Sequence, residues 1–512
     1  MQSSINKDLQ LAEKLDEEGK YEEVLQIISD LEKKGSLSPI EQLSSDLIQG
    51  SAMVMLGQYN EVVSLAERIA QESQKIAKKI RIVDAFILKC RALYWLRRLD
   101  DVLDILEQGE RLLKTLNDES SLEIKKREAW IALLKGLTYR DKIKRELQVK
   151  FLKQGLELGK ETDNKGIIFK CLMLLGDYYT SKGEIDRALF YIDQCLEIAK
   201  LMQNQTIIVW SFLNLSVIYG EKGELDNCIK YTKKARKIFK RLNNKSHFSA
   251  TLNNLGCIYT QKGEFDRAQR YFTRSLALYE EIGESKGICF VLDSLIRLTL
   301  EKSDLKQALL YFNRLKQIYK EEKTLKLINL LFRFNKALIF KKDPQVLNLT
   351  TAKKLLEQII NEEVIDFGVY IAALLELCDL LLINLKNTND LKLLDMIQLH
   401  VNHLIENAKK YHSYSLLAET YLLQAKLELI TLDLNEAQRS LIKAHRIAEK
   451  YGIKLLIVRI LNEQDELQKH IDKWERFKDS KAVIAERIEL ARLDDQLLRM
   501  LRKRVYLEKV IF

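Results

Sequence analysis

The chain has very few residues that break helices. Only 2 of its 512 residues are proline and 19 are glycine, while leucine, lysine, glutamate, isoleucine and alanine dominate and mostly favour the α-helix. One of the two prolines follows Ser38 and precedes Glu41, which is the arrangement of a capping box with proline at the first helical position. The composition therefore predicts an all-α protein, with one helix that begins at Pro39.

The cysteines lack any metal-binding or disulfide pattern. Seven of them stand at positions 90, 171, 195, 228, 257, 289 and 378, and no two form a CxxC pair. Cys195 and Cys228 fall where packed helices need a small residue, so we interpret them as reduced core residues. Neither a zinc site nor a disulfide scaffold is predicted.

Long apolar runs are also missing. The nearest one, Val369 to Leu385, carries Glu376 and Asp379, whereas a membrane span needs about 18 consecutive apolar residues. The first residues, MQSSINKDLQLAEKLDEEG, are acidic and contain no apolar signal core. We therefore expect a cytoplasmic protein without a membrane span.

Motifs of the common catalytic sites are absent. The sequence has no phosphate loop, no GxSxG, no HExxH and no GxGxxG after a strand. His400, His403 and His412 lie near one another in the chain, but no carboxylate or cysteine completes a ligand set, so structural histidines are the favoured interpretation. The sequence predicts no enzyme, no cofactor and no metal.

What the chain does contain is a repeat. The stretches LGDYYTSKGEIDRALFYI, LSVIYGEKGELDNCIKYT and LGCIYTQKGEFDRAQRYF share one skeleton, and their glycines 183, 223 and 263 are 40 residues apart. Extending the alignment along the chain gives about eleven repeats before residue 462, at intervals of 38 to 44 residues. The residues two places after each turn position are Tyr21, Tyr59, Leu99, Ile143, Ile185, Leu225, Phe265, Leu305, Leu349, Leu391 and Leu434.

Each repeat has the pattern of a helical hairpin. Apolar residues at helical spacing form one stripe before the turn glycine and a second stripe after it. The glycine takes the left-handed conformation that ends the first helix. Small residues on the two helices are expected to face each other, which lets the backbones approach closely: Gly176 with Ala188, Ser216 with Cys228, and Gly256 with Ala268.

These residues resemble the tetratricopeptide repeat. The best matches are Leu255-Gly256, Tyr259, Gly263, Phe265, Ala268 and Phe272. The usual repeat has 34 residues, and the longer unit here is similar to the branch found in kinesin light chains and maltose-regulator-like proteins. The resemblance implies a right-handed α-solenoid of about eleven hairpins over residues 1–462.

Some repeats match weakly. The fourth has Asp141 in place of the glycine and Glu146 in place of the alanine, and the ninth lengthens its turn around Asp343-Pro344. We interpret the regions near 118–150 and 340–350 as joints, either bends of the array or boundaries between sub-arrays.

Residues 463–512 form a C-terminal extension outside the repeat. Its apolar stripe, Ile484, Ile488, Ala491, Leu498, Leu501 and Val505, favours a helix that caps the array, and a dimerising coiled coil is the alternative. A basic cluster near its end favours a solvated helix terminus over a site for a membrane, nucleic acid or acidic partner. This cluster consists of Arg499, Arg502, Lys503 and Arg504.

The resemblance also implies a binding surface. The family binds peptide segments on the inner face formed by the first helices, and Asn214 and Asn254 match its backbone-binding asparagine. Helical spacing places Asp177, Trp210, Asn253, Asp293 and Arg297 on the same exposed surface. The alternatives are that the asparagines are merely solvated and that Trp210 packs between hairpins.

The sequence thus predicts a scaffold or adaptor that binds another protein, with no nucleic acid as partner. The carboxylate clamp used by relatives that bind chaperone tails is disfavoured, because the equivalent positions lack its lysine and asparagine. A second hypothesis is a ligand-responsive regulator in which the C-terminal helix is the output element.

Overall fold

The computed structural model describes residues 2–503 except 34, 36, 117–118, 183, 343–345, 412 and 480–482. Over these ranges the chain forms 26 α-helices and no strand, so the prediction of an all-α protein is confirmed. The chain divides into two compact units. Unit 1 contains the described residues of Met1–Tyr178 and Ala188–Ser211, and unit 2 contains those of Tyr179–Arg187 and Phe212–Phe512.

The helices alternate between the two members of successive hairpins. We call the odd-numbered helices up to α23 first helices and the even-numbered helices up to α24 second helices. The first ten are α1 Gln2–Glu18, α2 Tyr21–Lys33, α3 Pro39–Met55, α4 Tyr59–Lys75, α5 Lys79–Trp95, α6 Leu99–Leu113, α7 Ser121–Asp141, α8 Arg145–Glu161, α9 Lys165–Ser181 and α10 Ile185–Leu201. The next eight are α11 Gln205–Lys222, α12 Leu225–Arg241, α13 Lys245–Gln261, α14 Phe265–Ile282, α15 Ser285–Glu301, α16 Leu305–Glu321, α17 Lys326–Lys342 and α18 Val346–Asn361. The last eight are α19 Phe367–Thr388, α20 Lys392–Lys410, α21 Tyr414–Ile430, α22 Leu434–Lys450, α23 Lys454–Lys469, α24 Ile471–Asp479, α25 Ile484–Ala491 and α26 Leu493–Lys503.

Within each unit the hairpins stack as a repeat array does. In unit 2, α13 packs on its partner α14, α14 packs on α15, and α13 also touches the next first helix, α15. First helices thus pack on the neighbouring first helices as well as on second helices. The predicted helical hairpins are confirmed for the described residues.

Most second helices begin where the repeat alignment places them, for example at Tyr59, Leu225 and Phe265. The alignment is wrong at the weak repeats, because α8 begins at Arg145 rather than Ile143, and α18 and α20 also begin away from the aligned residues. Ile143 is itself the turn residue, with a left-handed φ of 58°. Gly183, aligned with that turn position, lies outside the described residues.

The predicted contact of Ser216 with Cys228 is confirmed, with 3.0 Å between Oγ and Sγ. The two glycines allow close approach as well, but each faces a bulky side chain instead of the predicted alanine. A Cβ added to Gly256 would lie 2.5 Å from Cε1 of Phe272, and one added to Gly176 would lie 2.3 Å from Cδ1 of Ile192. In the intervening repeat Ser216 takes this place, and its hydroxyl lies 2.6 Å from that of Thr232. Glycine is needed at positions 176 and 256 because a bulky side chain of the second helix fills the space.

Two local predictions are confirmed. Ser38 caps α3, whose first residue is Pro39: the backbone N–H of Ser38 donates to Oε2 of Glu41 at 2.8 Å, and that of Glu41 donates to Oγ of Ser38 at 3.4 Å. All seven cysteines are buried free thiols, and burial raises the pKa of Cys195 to about 12.

The C-terminal tract differs from the continuous helix that the sequence favours. The first helix α23 crosses the predicted boundary between residues 462 and 463, and its Leu455 lies 2.1 Å from where a Cβ of Gly223 would stand. After α24 the chain forms two short helices that turn at Arg492, which has a left-handed φ of 51°. This turn shifts the apolar register, so Leu498 is 42% exposed and not part of the buried stripe.

One helix of the described ranges, α19, is long and apolar enough to cross a membrane by length and composition. Its most apolar window has a mean hydropathy of 1.9 and is 67% buried inside the protein, which is how a core helix behaves. The expectation of a cytoplasmic chain without a membrane span stays a prediction.

Candidate functional site

The candidate site is the first-helix surface of unit 2, which carries the C-terminal helix α26. This helix packs on α13, α19 and α21, which are all first helices. Leu493, Leu497 and Met500 face this surface and are at most 1% exposed. Because their spacing is i, i+4 and i+7, they form one stripe of a helix lying in a groove.

Charged and polar contacts surround this apolar stripe. Arg502 Nε lies 2.5 Å from Oε1 of Glu301 on α15, and Lys386 Nζ on α19 lies 2.5 Å from Oδ2 of Asp494. The amide of Gln496, only 2% exposed, donates to the backbone carbonyl of Glu419 at 3.3 Å. The helix is therefore bound as a partner helix would be, with a buried apolar centre and polar ends.

Lys426 of α21 joins this surface to the segment before α26. Its ammonium donates to the carbonyl of Ala491 at 2.7 Å and to Oε2 of Glu463 at 2.6 Å. Burial lowers the pKa of Lys426, an effect that Glu463 partly offsets. A buried cation thus holds a backbone carbonyl that the end of α25 leaves without a helical partner.

A cavity of about 320 Å³ lies between α26 and the first helices α15, α17 and α19. Its lining combines apolar groups with charged ones, among them Arg297, Glu301, Lys341, Glu376 and Arg502. Such a mixture suits a peptide, which presents both apolar side chains and backbone polar groups.

The charges beside this cavity are compensated. Lys341 is nearly buried and forms ion pairs with both Glu376 and Asp379. Burial alone would lower the pKa of Lys341, but the two carboxylates outweigh it and raise the pKa. Since the cation stays charged at neutral pH, this corner is a fixed electrostatic feature of the surface.

Asp293 and Arg297 are the two sequence-predicted site residues that the structure visibly brings together. Nη1 of Arg297 lies 3.6 Å from Oδ2 of Asp293, and Nδ2 of Asn335 donates to Oδ1 of Asp293 at 2.8 Å. Burial raises the pKa of Asp293, while Arg297 and Asn335 counteract it. Arg297 lines the cavity and Asp293 does not, so Asp293 acts from beneath the surface by positioning Arg297 and Asn335.

The predicted exposure is wrong for several site residues. Trp210 is 8% exposed, Asn253 2%, Asn254 4% and Asp293 1%. The reason is visible in α13, where every residue from Ser249 to Thr260 is buried, because α12, α14, α15 and α26 surround it. For Trp210 the alternative of a packed side chain therefore describes the structure better.

The remaining predicted residues keep some access to solvent. Asn214 in unit 2 is half-buried, as is Arg297. Asp177 is half-buried in unit 1, where it acts electrostatically on Arg140 and Arg145. Their contact with a partner stays a prediction.

The basic C-terminal cluster is not a uniform solvated terminus. Arg499 is exposed, and Arg502 pairs with Glu301 while its side chain stays 38% exposed, so the role of the cluster stays a prediction. Lys503 is the last residue of α26, and Arg504 lies outside the described residues.

His400 and His403 lie close together on α20. No group of three His, Cys, Asp or Glu side chains that could hold a metal occurs in the described ranges. His400 is 7% exposed and its ring centroid lies 6.1 Å from that of His403. Burial, aided by His403 and Lys353, lowers the pKa of His400 to about 4. His412 lies outside the described residues.

Sequence reasoning missed the charged residues at the cavity. Lys341 and Glu301, which stand at the ends of α17 and α15, were not named, and Glu376 was named only as a charge in an apolar run. Of the three, Glu376 is a charge inside a mainly apolar first helix. That pattern was the available signal, because a charge on a buried helix needs a partner or a solvated opening.

Comparison with known proteins gives the same fold. Residues 169–200 and 206–281 match family models described as tetratricopeptide repeat. The apo form of RapI is similar with a TM-score of 0.51 and 13% identity, over 79% of this chain and 98% of that one. The apo form of the quorum sensor NprR from B. thuringiensis gives a TM-score of 0.50 and 16% identity, over 70% and 99%. No curated protein sequence gives a significant match.

Proposed function

We propose that this chain, a tetratricopeptide-repeat protein, is a binding scaffold that takes up a helical segment of another protein on the first-helix surface of unit 2. The observation that carries the proposal is α26, which occupies this surface with a buried stripe and polar ends. A partner segment with the same pattern of apolar residues, followed by a cation for Glu301, would make the same contacts.

The energetics agree with an exchangeable helix. Burying a leucine or methionine stabilises by about 1.5 to 3 kcal/mol, so Leu493, Leu497 and Met500 together give roughly 4 to 9 kcal/mol before ordering costs. Micromolar binding corresponds to about 8 kcal/mol. A partner helix with a larger buried stripe would therefore compete with α26.

The test uses a labelled synthetic peptide of residues 484–503 and the full-length chain. Leu497→Asp places a charge in the buried stripe and should free the surface, so this variant should bind the peptide at least tenfold more tightly than the wild type. Leu498→Asp is the matched control, because Leu498 is the next residue and is 42% exposed. A folded Leu497→Asp chain that does not bind the peptide would refute the proposal.

The same peptide then identifies partners that use this surface. A protein captured from cytosol by the Leu497→Asp chain should be released when the peptide is added. A captured protein that stays bound in excess peptide uses another surface and counts against the assignment.

The second candidate is a ligand-responsive regulator with α26 as output. The observation in its favour is the turn at Arg492, a single left-handed residue that joins α26 to α25. Displacing α26 would then need rotation at few bonds. Under this hypothesis a ligand should increase amide exchange in residues 493–503. An adaptor would instead keep that segment protected, or would bind its partner even when the segment is deleted.

A further inference from the structure

Unit 1 has a tryptophan flanked by two cations on its own first-helix surface. Cζ of Arg91 lies 5.4 Å from the ring centroid of Trp130, and Nζ of Lys170 lies 4.9 Å from it. The three residues come from the successive first helices α5, α7 and α9. All three are half-buried, so each residue keeps some exposure to solvent.

The charge at this place is not balanced. Asp16 is the carboxylate that acts on both cations, but its Oδ2 accepts from Oγ of Ser51 at 2.8 Å, and Arg91 Nη1 reaches only that hydroxyl, at 3.1 Å. In the described part of the chain neither Arg91 nor Lys170 forms an ion pair. Two positive charges therefore share one ring and one neighbouring carboxylate.

On the same surface, Arg127 is a cation whose charge is balanced by carboxylates. Arg127 of α7 donates to Asp84 through Nε at 2.9 Å and through Nη2 at 3.0 Å, and it also pairs with Glu123. The two carboxylates raise the pKa of Arg127 despite its burial, so its charge is compensated.

At the tryptophan the opposite holds. Burial and repulsion from Arg91 together lower the pKa of Lys170 to about 8, although Asp16 counteracts them, and burial lowers the pKa of Arg91 as well. Placing two cations beside a single carboxylate is costly unless a further anion joins them.

We propose that Arg91 and Lys170 form an anion site that binds a carboxylate side chain of an acidic peptide above Trp130. The guanidinium offers a planar pair of N–H donors, the ammonium adds a point charge, and the indole face supports the methylene groups of a glutamate. This site goes beyond the proposed function, since it lies in unit 1 and does not involve α26.

Titration calorimetry with octaglutamate, acetylated and amidated at its ends, tests the site in the full-length chain. Octaglutamate should bind, octaglutamine should not, and the affinity should fall as salt rises. Octaalanine with a free C-terminus distinguishes the source of the carboxylate, because its binding would assign the site to a peptide terminus instead. Failure of octaglutamate to bind at millimolar concentration would overturn the proposal.

Two substitutions locate the binding. Lys170→Met and Arg91→Met should each weaken octaglutamate binding at least tenfold. Lys150→Met is the matched control, because Lys150 also lies over a ring, 5.8 Å from the centroid of Phe151, but is exposed on the second helix α8. Equal loss in Lys150→Met, or no loss in Lys170→Met, would show that the peptide binds only to general positive charge.

Chemical labelling of the unmodified chain makes the test independent of protein stability. Octaglutamate should protect Lys170 from acetylation, as measured by mass spectrometry, and should leave Lys150 unprotected. Leu497→Asp, which tests the unit 2 surface, should not change this protection. The proposal of the anion site and the proposal of the unit 2 surface can therefore be refuted separately.

Discussion

At the scale of single residues, the contact between Gly256 and Phe272 decides how closely one hairpin packs. Gly256→Ala should lower the free energy of unfolding by about 1 to 3 kcal/mol, because the new Cβ would lie 2.5 Å from a ring that is only 1% exposed. Urea denaturation followed by circular dichroism measures the change.

The control is a double-mutant cycle with Phe272→Leu. Shortening the side chain removes the clash, so Gly256→Ala should cost less in the Phe272→Leu background than in the wild type. Additive losses would mean that the clash is not the cause.

His400 gives a prediction about pH. Its pKa is lowered to about 4 by burial, with His403 and Lys353 contributing, whereas an unfolded histidine has a pKa of about 6.5. The unfolded chain therefore binds the proton more readily between these values, so this residue lowers stability as pH falls from about 6.5 to 4.

The substitution His400→Leu should remove that part of the acid sensitivity. We compare the free energy of unfolding of the variant with that of the wild type at two pH values. After allowance for solvent screening, this difference should favour the variant by about 1 to 2 kcal/mol more at pH 4.5 than at pH 7.5. His470→Leu, at a more exposed histidine, is the comparison variant. Parallel stability curves for His400→Leu and wild type would contradict the assignment.

The site residues show where residue-level prediction stops. Helical spacing correctly assigns Asn253 and Asp293 to first helices, but it cannot show how many neighbours surround each helix. Part of the burial of α13 comes from α26, which lies more than 230 residues away in the sequence. Long-range packing of this kind leaves no local pattern.

At the scale of elements, the turns between helices use the left-handed conformation whether or not the residue is glycine. Ile143 has a φ of 58°, and Gly263 has a φ of 76° at the equivalent turn, with no atom within 4 Å of a Cβ built on it. A β-branched residue is strained in this region, while glycine is not.

This pair gives a matched prediction. Ile143→Gly should raise the free energy of unfolding and Gly263→Ala should lower it, each by about 1 kcal/mol, because both changes act through the backbone. Thermal unfolding measures both. A loss of stability in Ile143→Gly would mean that its partly exposed side chain contributes more than the strain costs.

The same turns explain how far the elements could be predicted. Repeats with a turn glycine, such as Gly57 and Gly223, gave the correct start of the second helix. Where Ile143 or Arg492 takes the left-handed conformation, the sequence carries no signal, so the start of α8 and the register of α26 were missed.

At the scale of the whole molecule, a stacked array should respond locally to a perturbation. Each hairpin contacts mainly its neighbours, as α13, α14 and α15 do, so stability is roughly a sum of intrinsic and nearest-neighbour terms. A substitution should therefore loosen the hairpins beside it before the rest of its unit.

Gly50 and Gly256 offer equivalent probes in the two units. A Cβ on Gly50 would lie 2.5 Å from Cδ2 of Leu88, the same distance as for Gly256 and Phe272. Gly50→Ala should speed amide exchange in α3 to α6 and leave α13 to α16 unchanged, and Gly256→Ala should do the reverse. Hydrogen exchange with mass spectrometry measures both sets of helices in one experiment. Faster exchange in all helices after either substitution would show that the chain opens as a single cooperative body, and would exclude the nearest-neighbour description.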